Sequence, residues 1–185
     1  MYNWFLTAVT TASLCLWPVD APNNYYDSLK DETVIDDKSI YYDQKEVSCL
    51  AVNIYHEARG ESKEGKLAVA FVTLNRVKSN AYPDTVCGVV YQGHHKPSWR
   101  DNGMMVPIRH RCQFSWYCDG KPDMVQDFKS YEKIIDLAID VWYNRYQDIT
   151  DGSLFYHADY VEPHWARHMA KTVQIDNHIF YTVSY

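Results

Sequence analysis

The residue best placed for proton chemistry is the glutamate of Tyr55-His56-Glu57-Ala58-Arg59-Gly60-Glu61. Upstream of it, Val47, Leu50, Ala51, Ile54 and Tyr55 recur at helical spacing and mark one face of an amphipathic helix starting near Glu46. Gly60 is a stop signal just beyond. Glu57 therefore falls at the C-terminal end of that helix, beside its apolar face. Apolar surroundings disfavour an ionised carboxyl, and the negative end of the helix dipole acts in the same direction. A carboxyl kept protonated near neutral pH can donate to a leaving oxygen such as that of a glycosidic bond. Spacing alone favours a plainer alternative, an ion pair of Glu57 with Arg59 or a lysine on a solvated surface. No second acid has a role fixed by position; Glu61 and Asp119 suit only surface or supporting roles.

The elements that must position Glu57 follow from apolar periodicity. A second helix is expected after Ser62 as N-cap, with Leu67, Ala70, Phe71, Leu74 and Val77 as its stripe and Asn80 and Pro83 closing it. A short helix fits 84–91. Gly93 to Arg111 holds glycine, proline and charges without period and is expected to be a long loop. Ser130 caps a helix expected from Tyr131 to Arg145, whose buried face is Tyr131, Ile134, Ile135, Ala138, Val141 and Trp142. Short aromatic segments follow Gly152, and the last, His178 to Tyr181, suits a strand. The fold class expected is a mainly helical α+β single domain over 46–185.

The 185 residues, 46% hydrophobic, suffice for one domain with a sizeable core. Sixteen tyrosines and six tryptophans suit either a carbohydrate cleft or an aromatic core. Net charge is −6, of which −2 falls over 46–185, so the basic stripe that nucleic acid requires is missing. An apolar run from Trp4 to Trp17 is short for a membrane span, which needs ~20 residues, and suits a signal peptide over 1–21. Val19-Asp20-Ala21 would be its cleavage site, although no Lys or Arg precedes the run, so a retained anchor is the alternative. Residues 22–45 are polar and acidic and are expected to form a linker. Removing such a leader takes away Cys15 and leaves Cys49, Cys87, Cys112 and Cys118, an even set for two disulfides in an oxidising compartment. Four cysteines allow three pairings, among which the sequence does not choose.

The stretch around Glu57 resembles the SleB-type cell-wall hydrolases, the spore-cortex-lytic enzymes and their Gram-negative and phage relatives. The resemblance runs in order through Cys49-Leu50-Ala51 and Ile54 to Glu61, Val69-Ala70, Leu74-Asn75-Arg76-Val77, and Val89-Val90-Tyr91-Gln92. It continues through Cys112-Gln113-Phe114-Ser115-Trp116 with Cys118-Asp119-Gly120, then Tyr156-His157-Ala158, Pro163-His164-Trp165-Ala166 and His178-Ile179-Phe180-Tyr181.

This resemblance implies a lysozyme-like fold related to the lytic transglycosylases, with Glu57 as the essential acid. The implied reaction is cleavage between N-acetylmuramic acid and N-acetylglucosamine, with peptidoglycan glycan strands as partner and no metal or cofactor. In a lytic transglycosylase the same carboxylate then acts as base while the muramyl C6 hydroxyl closes a 1,6-anhydro ring, so one carboxylate suffices where water-using glycosidases show two. Gln113 and Ser115 would hydrogen-bond the acetamido group or orient Glu57, with a self-satisfied turn as the alternative. Tyr156, His157 and Trp165 would line the sugar cleft, with plain structural roles as the alternative.

Two departures stand out: the 93–111 segment is long, and Asp176 stands where the family often has glycine. The implied setting is an exported monomer, periplasmic or extracellular, without a membrane span once the leader is removed, serving wall remodelling or phage lysis. With so little net charge over 46–185, recognition is expected to rest on stacking and hydrogen bonds. The alternatives are a zinc amidase drawing ligands from His94, His95 and His110, or a non-catalytic peptidoglycan-binding protein.

Overall fold

The computed structural model describes residues 37–101 and 103–184, with side chains from residue 44 onward. The expected leader, and the expected linker up to residue 36, lie outside the described residues. Helix α1 spans Asp37–Ala58, and so begins nine residues before Glu46. The apolar stripe marks where the helix is buried, but each residue added N-terminally to a formed helix needs only its own backbone bond, so the polar residues extend it.

Helix α2 (Lys63–Lys78) starts where expected, with Ser62 Oγ accepting from the Gly65 N–H at 3.1 Å. The short α3 (Val86–Val90) is capped in the same way by Thr85. Helix α4 spans Phe128–Trp142, three residues earlier than its apolar period suggests. Its cap is Asp127, not Ser130; the Asp127 carboxylate accepts from the Ser130 N–H at 3.1 Å. The first turn of α4 faces solvent, with Phe128 73% exposed, and so carries no burial signal. These four helices enclose one core in which Leu50, Ile54, Val89, Val90, Ile134 and Val141 are fully buried.

The segment expected to be a loop is instead an antiparallel hairpin, β1 (Gly93–Pro97) and β2 (Met105–Cys112), with an irregularity between Gly93 and His95. Both strands are mostly solvent-exposed, so the apolar alternation that announces a half-buried strand never appears in the sequence. A second, three-stranded antiparallel sheet is built from β3 (Phe155–Ala158), β4 (Met169–Ile175) and β5 (His178–Val183), with β5 in the middle. The result is the mixed, mainly helical architecture expected.

The turn between β4 and β5 docks this sheet on the start of α2. Asp176 takes a left-handed φ of 49°, which a glycine would adopt without strain. Its carboxylate repays the strain by accepting from the Ser62 N–H at 2.9 Å and the Ser62 hydroxyl at 2.6 Å. A Cβ at Gly65 would run into Asp176 Oδ2, so a side chain there would displace this contact.

Disulfides join Cys49 to Cys87, tying α1 to α3, and Cys112 to Cys118, tying the end of β2 to the turn that carries Trp116. The first closes a loop across a separation of 38 residues. Cross-linking a loop of that size restricts the unfolded chain by about 3–4 kcal/mol. Replacing Cys49 and Cys87 by serine should lower the unfolding free energy by about 3 kcal/mol, read by urea denaturation. An unchanged midpoint would show that the bond adds nothing.

Candidate active site

Glu57 lies one residue before the end of α1, on the side of the helix that meets α2 and β3. It makes no ion pair with Arg59, whose guanidinium sits 5.2 Å from the Tyr55 ring centre. The solvated-pair alternative is therefore not what the chain adopts. Glu57 is half-buried instead, and Oε2 accepts a 2.8 Å hydrogen bond from the Tyr156 hydroxyl. Loss of water around the carboxyl pushes its pKa above the ordinary glutamate range, while the Tyr156 hydroxyl and the Arg76 charge pull it back. Burial also drives the Tyr156 phenol well above its ordinary range, so this side chain remains a donor.

Arg76 is the residue the sequence analysis left without a role. It is 5% exposed on α2, its Nε donates to the Leu154 carbonyl at 2.8 Å, and its guanidinium lies 5.0 Å from the Phe114 ring. Nη1 is buried without a hydrogen-bond partner. Helix α2 is buried on more than one face: Val69, Val72, Thr73 and Arg76 form a second stripe beside the expected one. A reading that assigns one apolar face to a helix places Arg76 in solvent. The i, i+3, i+4, i+7 spacing of those four residues was the available signal.

One turn earlier on α1, a buried polar chain ties α1 to α2 and to Trp116. Asn53, one turn before Glu57 and fully buried, donates to Thr73 Oγ1 at 3.1 Å and accepts from Trp116 Nε1 at 3.0 Å. So anchored, the Trp116 indole stacks on His56 with ring centres 4.4 Å apart and planes 17° from parallel. Tyr91 and Tyr117 pack edge-on around Trp116. A carboxyl whose proton is held above the ordinary glutamate range can donate it to an oxygen leaving a glycosidic bond.

The cell wall hydrolase family model matches residues 60–181, about two thirds of the sequence. The chain belongs to that family. The match begins three residues after Glu57, so the case for that carboxyl rests on its surroundings. Spore cortex-lytic enzymes are among the relatives, at 31% identity in Oceanobacillus iheyensis and 29% in Bacillus subtilis, each over 75% of this chain. The chain spans 42% and 38% of their lengths. Among solved structures, the catalytic domain of the Bacillus cereus SleB protein is 26% identical, with a TM-score of 0.53 over 75% of this chain and 91% of that one. The catalytic domain of the germination-specific lytic transglycosylase SleB from Bacillus anthracis is 27% identical, with a TM-score of 0.54 over 75% and 95%. The lysozyme-like, mainly helical α+β fold is thus that of the family.

Of the residues expected to touch substrate, the fold brings Tyr156 to Glu57 and sends others elsewhere. Strand side chains alternate between faces, so Tyr156 points inward with His178 and Phe180 while His157 points outward. His157 there stacks on Tyr181 and, with Trp165, makes an aromatic cluster on the far face of the sheet. Gln113 and Ser115 are exposed on the segment that carries Trp116, and neither hydrogen-bonds Glu57. Glu61 accepts from Asn177, and Asp119 holds a turn at Lys121. His95 bonds the Gly93 carbonyl and the Tyr117 hydroxyl; among the described residues no trio of His, Cys, Asp or Glu converges as a metal ligand set.

Raising an acid's pKa on folding means the native chain holds a proton that the unfolded chain has released. Stability contributed by that proton is lost as pH rises from the ordinary glutamate value through the raised one. Glu57→Gln removes this dependence, so unfolding free energies measured across mildly acidic to neutral pH should fall more steeply in the parent, with the variant the more stable at the upper end. Parallel curves would mean the carboxyl is not desolvated.

Proposed function

We propose that this chain degrades peptidoglycan by cleaving the bond between N-acetylmuramic acid and N-acetylglucosamine, with Glu57 as the acid that protonates the leaving oxygen. The observation that carries this reading is the half-buried carboxyl with its single donor, Tyr156, at 2.8 Å. The same group then serves as base. Having given up its proton, Glu57 is an anion facing the Tyr156 hydroxyl and the Arg76 charge, both of which favour that form. It can therefore take a proton from the muramyl C6 hydroxyl as the anhydro ring closes. A reaction that uses the sugar's own hydroxyl asks for no second carboxylate, and none hydrogen-bonds within the Glu57–Tyr156 pair. The lytic transglycosylase named among the solved relatives supports this finer assignment.

Export is part of the proposal. Two disulfides suit an oxidising compartment, and among the described residues no helix is long and apolar enough to cross a membrane. A wall-facing location, periplasmic or extracellular, follows from the substrate.

Glu57→Gln keeps the shape and the acceptor for Tyr156 but has no proton to give. The rate of turbidity loss from purified sacculi should fall by about 10²–10⁴-fold. Sacculi cleared at the parent rate would refute the assignment. Mass spectrometry of the parent's products should show anhydromuramyl ends, about 18 mass units lighter than hydrolysed ends because no water is added. Reducing muramyl ends throughout would leave a glycosidase but not a lytic transglycosylase.

A further inference from the structure

On the far side of α1 from Glu57 lies an open surface depression of about 370 Å³, lined by Arg59 just after α1, the start of α2 and one face of α4. Arg59, Lys63, Lys66 and Lys133 line it, together with Asp136 and Asp140. None of the four cations has a carboxylate within ion-pair distance among the described residues. Lys66 is turned to the Glu61 and Ser62 carbonyls, Lys63 lies 4.7 Å from the Tyr146 ring centre, and Arg59 rests on Tyr55. Asp140 is already taken by Arg145 at 2.6 Å. What remains, among the described residues, is four positive groups without a carboxylate partner and one carboxylate without an ion pair, Asp136, around a single concavity. In a chain of net charge −6 this is a local reversal of sign. Such a surface suits a ligand with several carboxylates and one amine.

We propose that this cavity binds the peptide stem of peptidoglycan, its carboxylates on Arg59, Lys63, Lys66 and Lys133 and its side-chain amine on Asp136. The proposal rests on the glycan-cleaving reading and gives it a substrate class, strands that still carry their stems. Helix geometry sets the path that the stem must follow. Glu57 and Arg59 are separated by about 200° around the helix, so the stem must pass round the end of α1. A helix with its side chains is about 10–12 Å across, and four residues of extended chain reach about 13 Å. Local charge therefore supplies the attraction that the overall balance of the domain withholds. An anionic wall polymer made only of phosphates would gain nothing from Asp136.

The binding test uses Glu57→Gln, in which strand cleavage cannot intervene, and calorimetric titration with the tetrapeptide L-alanyl-γ-D-glutamyl-meso-diaminopimelyl-D-alanine. Adding Lys63→Ala and Lys133→Ala should weaken binding about tenfold, an effect that shrinks as salt rises. With Glu57 intact, the parent should cleave stem-bearing strands at a lower KM than strands stripped of stems by an amidase. That preference should vanish in the Lys63→Ala, Lys133→Ala variant while kcat holds. Tetrapeptide binding that is undetectable, or equal in both chains, overturns the proposal, as does tighter binding of poly(glycerol phosphate). Failure of the glycan-cleaving reading has a different signature: stripped strands left intact by the parent while the tetrapeptide still binds.

Discussion

A carboxyl group half withdrawn from water at the end of a helix is the constraint on which the rest of the molecule depends. Each unit by which the surroundings raise its pKa corresponds to about 1.4 kcal/mol of preference for the protonated form, and the fold must supply that preference without freezing the proton in place. Burial between α1, α2 and β3 supplies it; the Tyr156 hydroxyl and the buried Arg76 limit it. The balance suits the acid-then-base role proposed for Glu57. Burial favours the protonated form, and the Tyr156 hydroxyl and Arg76 charge favour the ionised one. Arg76 is itself a costly choice, a buried guanidinium with one nitrogen unpartnered and no ion pair, stable only because Leu154, Phe114 and Tyr82 surround it.

Helix α1 distributes the remaining tasks around its circumference. Asn53, which holds Trp116 and Thr73, and Glu57, which meets Tyr156, lie one turn apart, while Tyr55 and Arg59 face α4 and the basic cavity. Tyr55 anchors that second side by accepting from the Gln126 and Asp127 N–H groups at 3.2 and 3.1 Å, just where α4 begins. The Cys49–Cys87 bond and the Ser62–Asp176 contacts then fix α1 and α2 against their neighbours. Rigid support of this kind is what the proposed single-carboxylate mechanism would need.

Much of this was legible in the sequence because it obeys local rules. The helical stripe ending at Tyr55, the Ser62 cap and the position of Glu57 each follow from a few neighbouring residues. Other features depend on contacts distant in sequence and could not be read that way. Tyr156 and His157 look equivalent as a pair of adjacent ring residues, yet strand alternation sends one to Glu57 and the other to the opposite face. Arg76 reads as a solvent-facing charge on a helix assumed to have one buried side. The hairpin over Gly93 to Cys112 carries its polar residues outward on both strands, which mimics the composition of a loop. Asp127 displaced Ser130 as cap because the first turn of α4 buries nothing. Disulfide pairing is a statement about spatial proximity, which spacing along the chain does not encode.

The most direct test of the central claim is to titrate the Glu57 carboxyl itself, by carbon NMR of the folded chain labelled at glutamate, assigned with Glu57→Gln. The account predicts a pKa above the ordinary value of 4.5, moving higher still in Tyr156→Phe, because the lost hydroxyl had favoured the ionised form. A Glu57 that titrates at or below that ordinary value, or that ignores the loss of the Tyr156 hydroxyl, would contradict it.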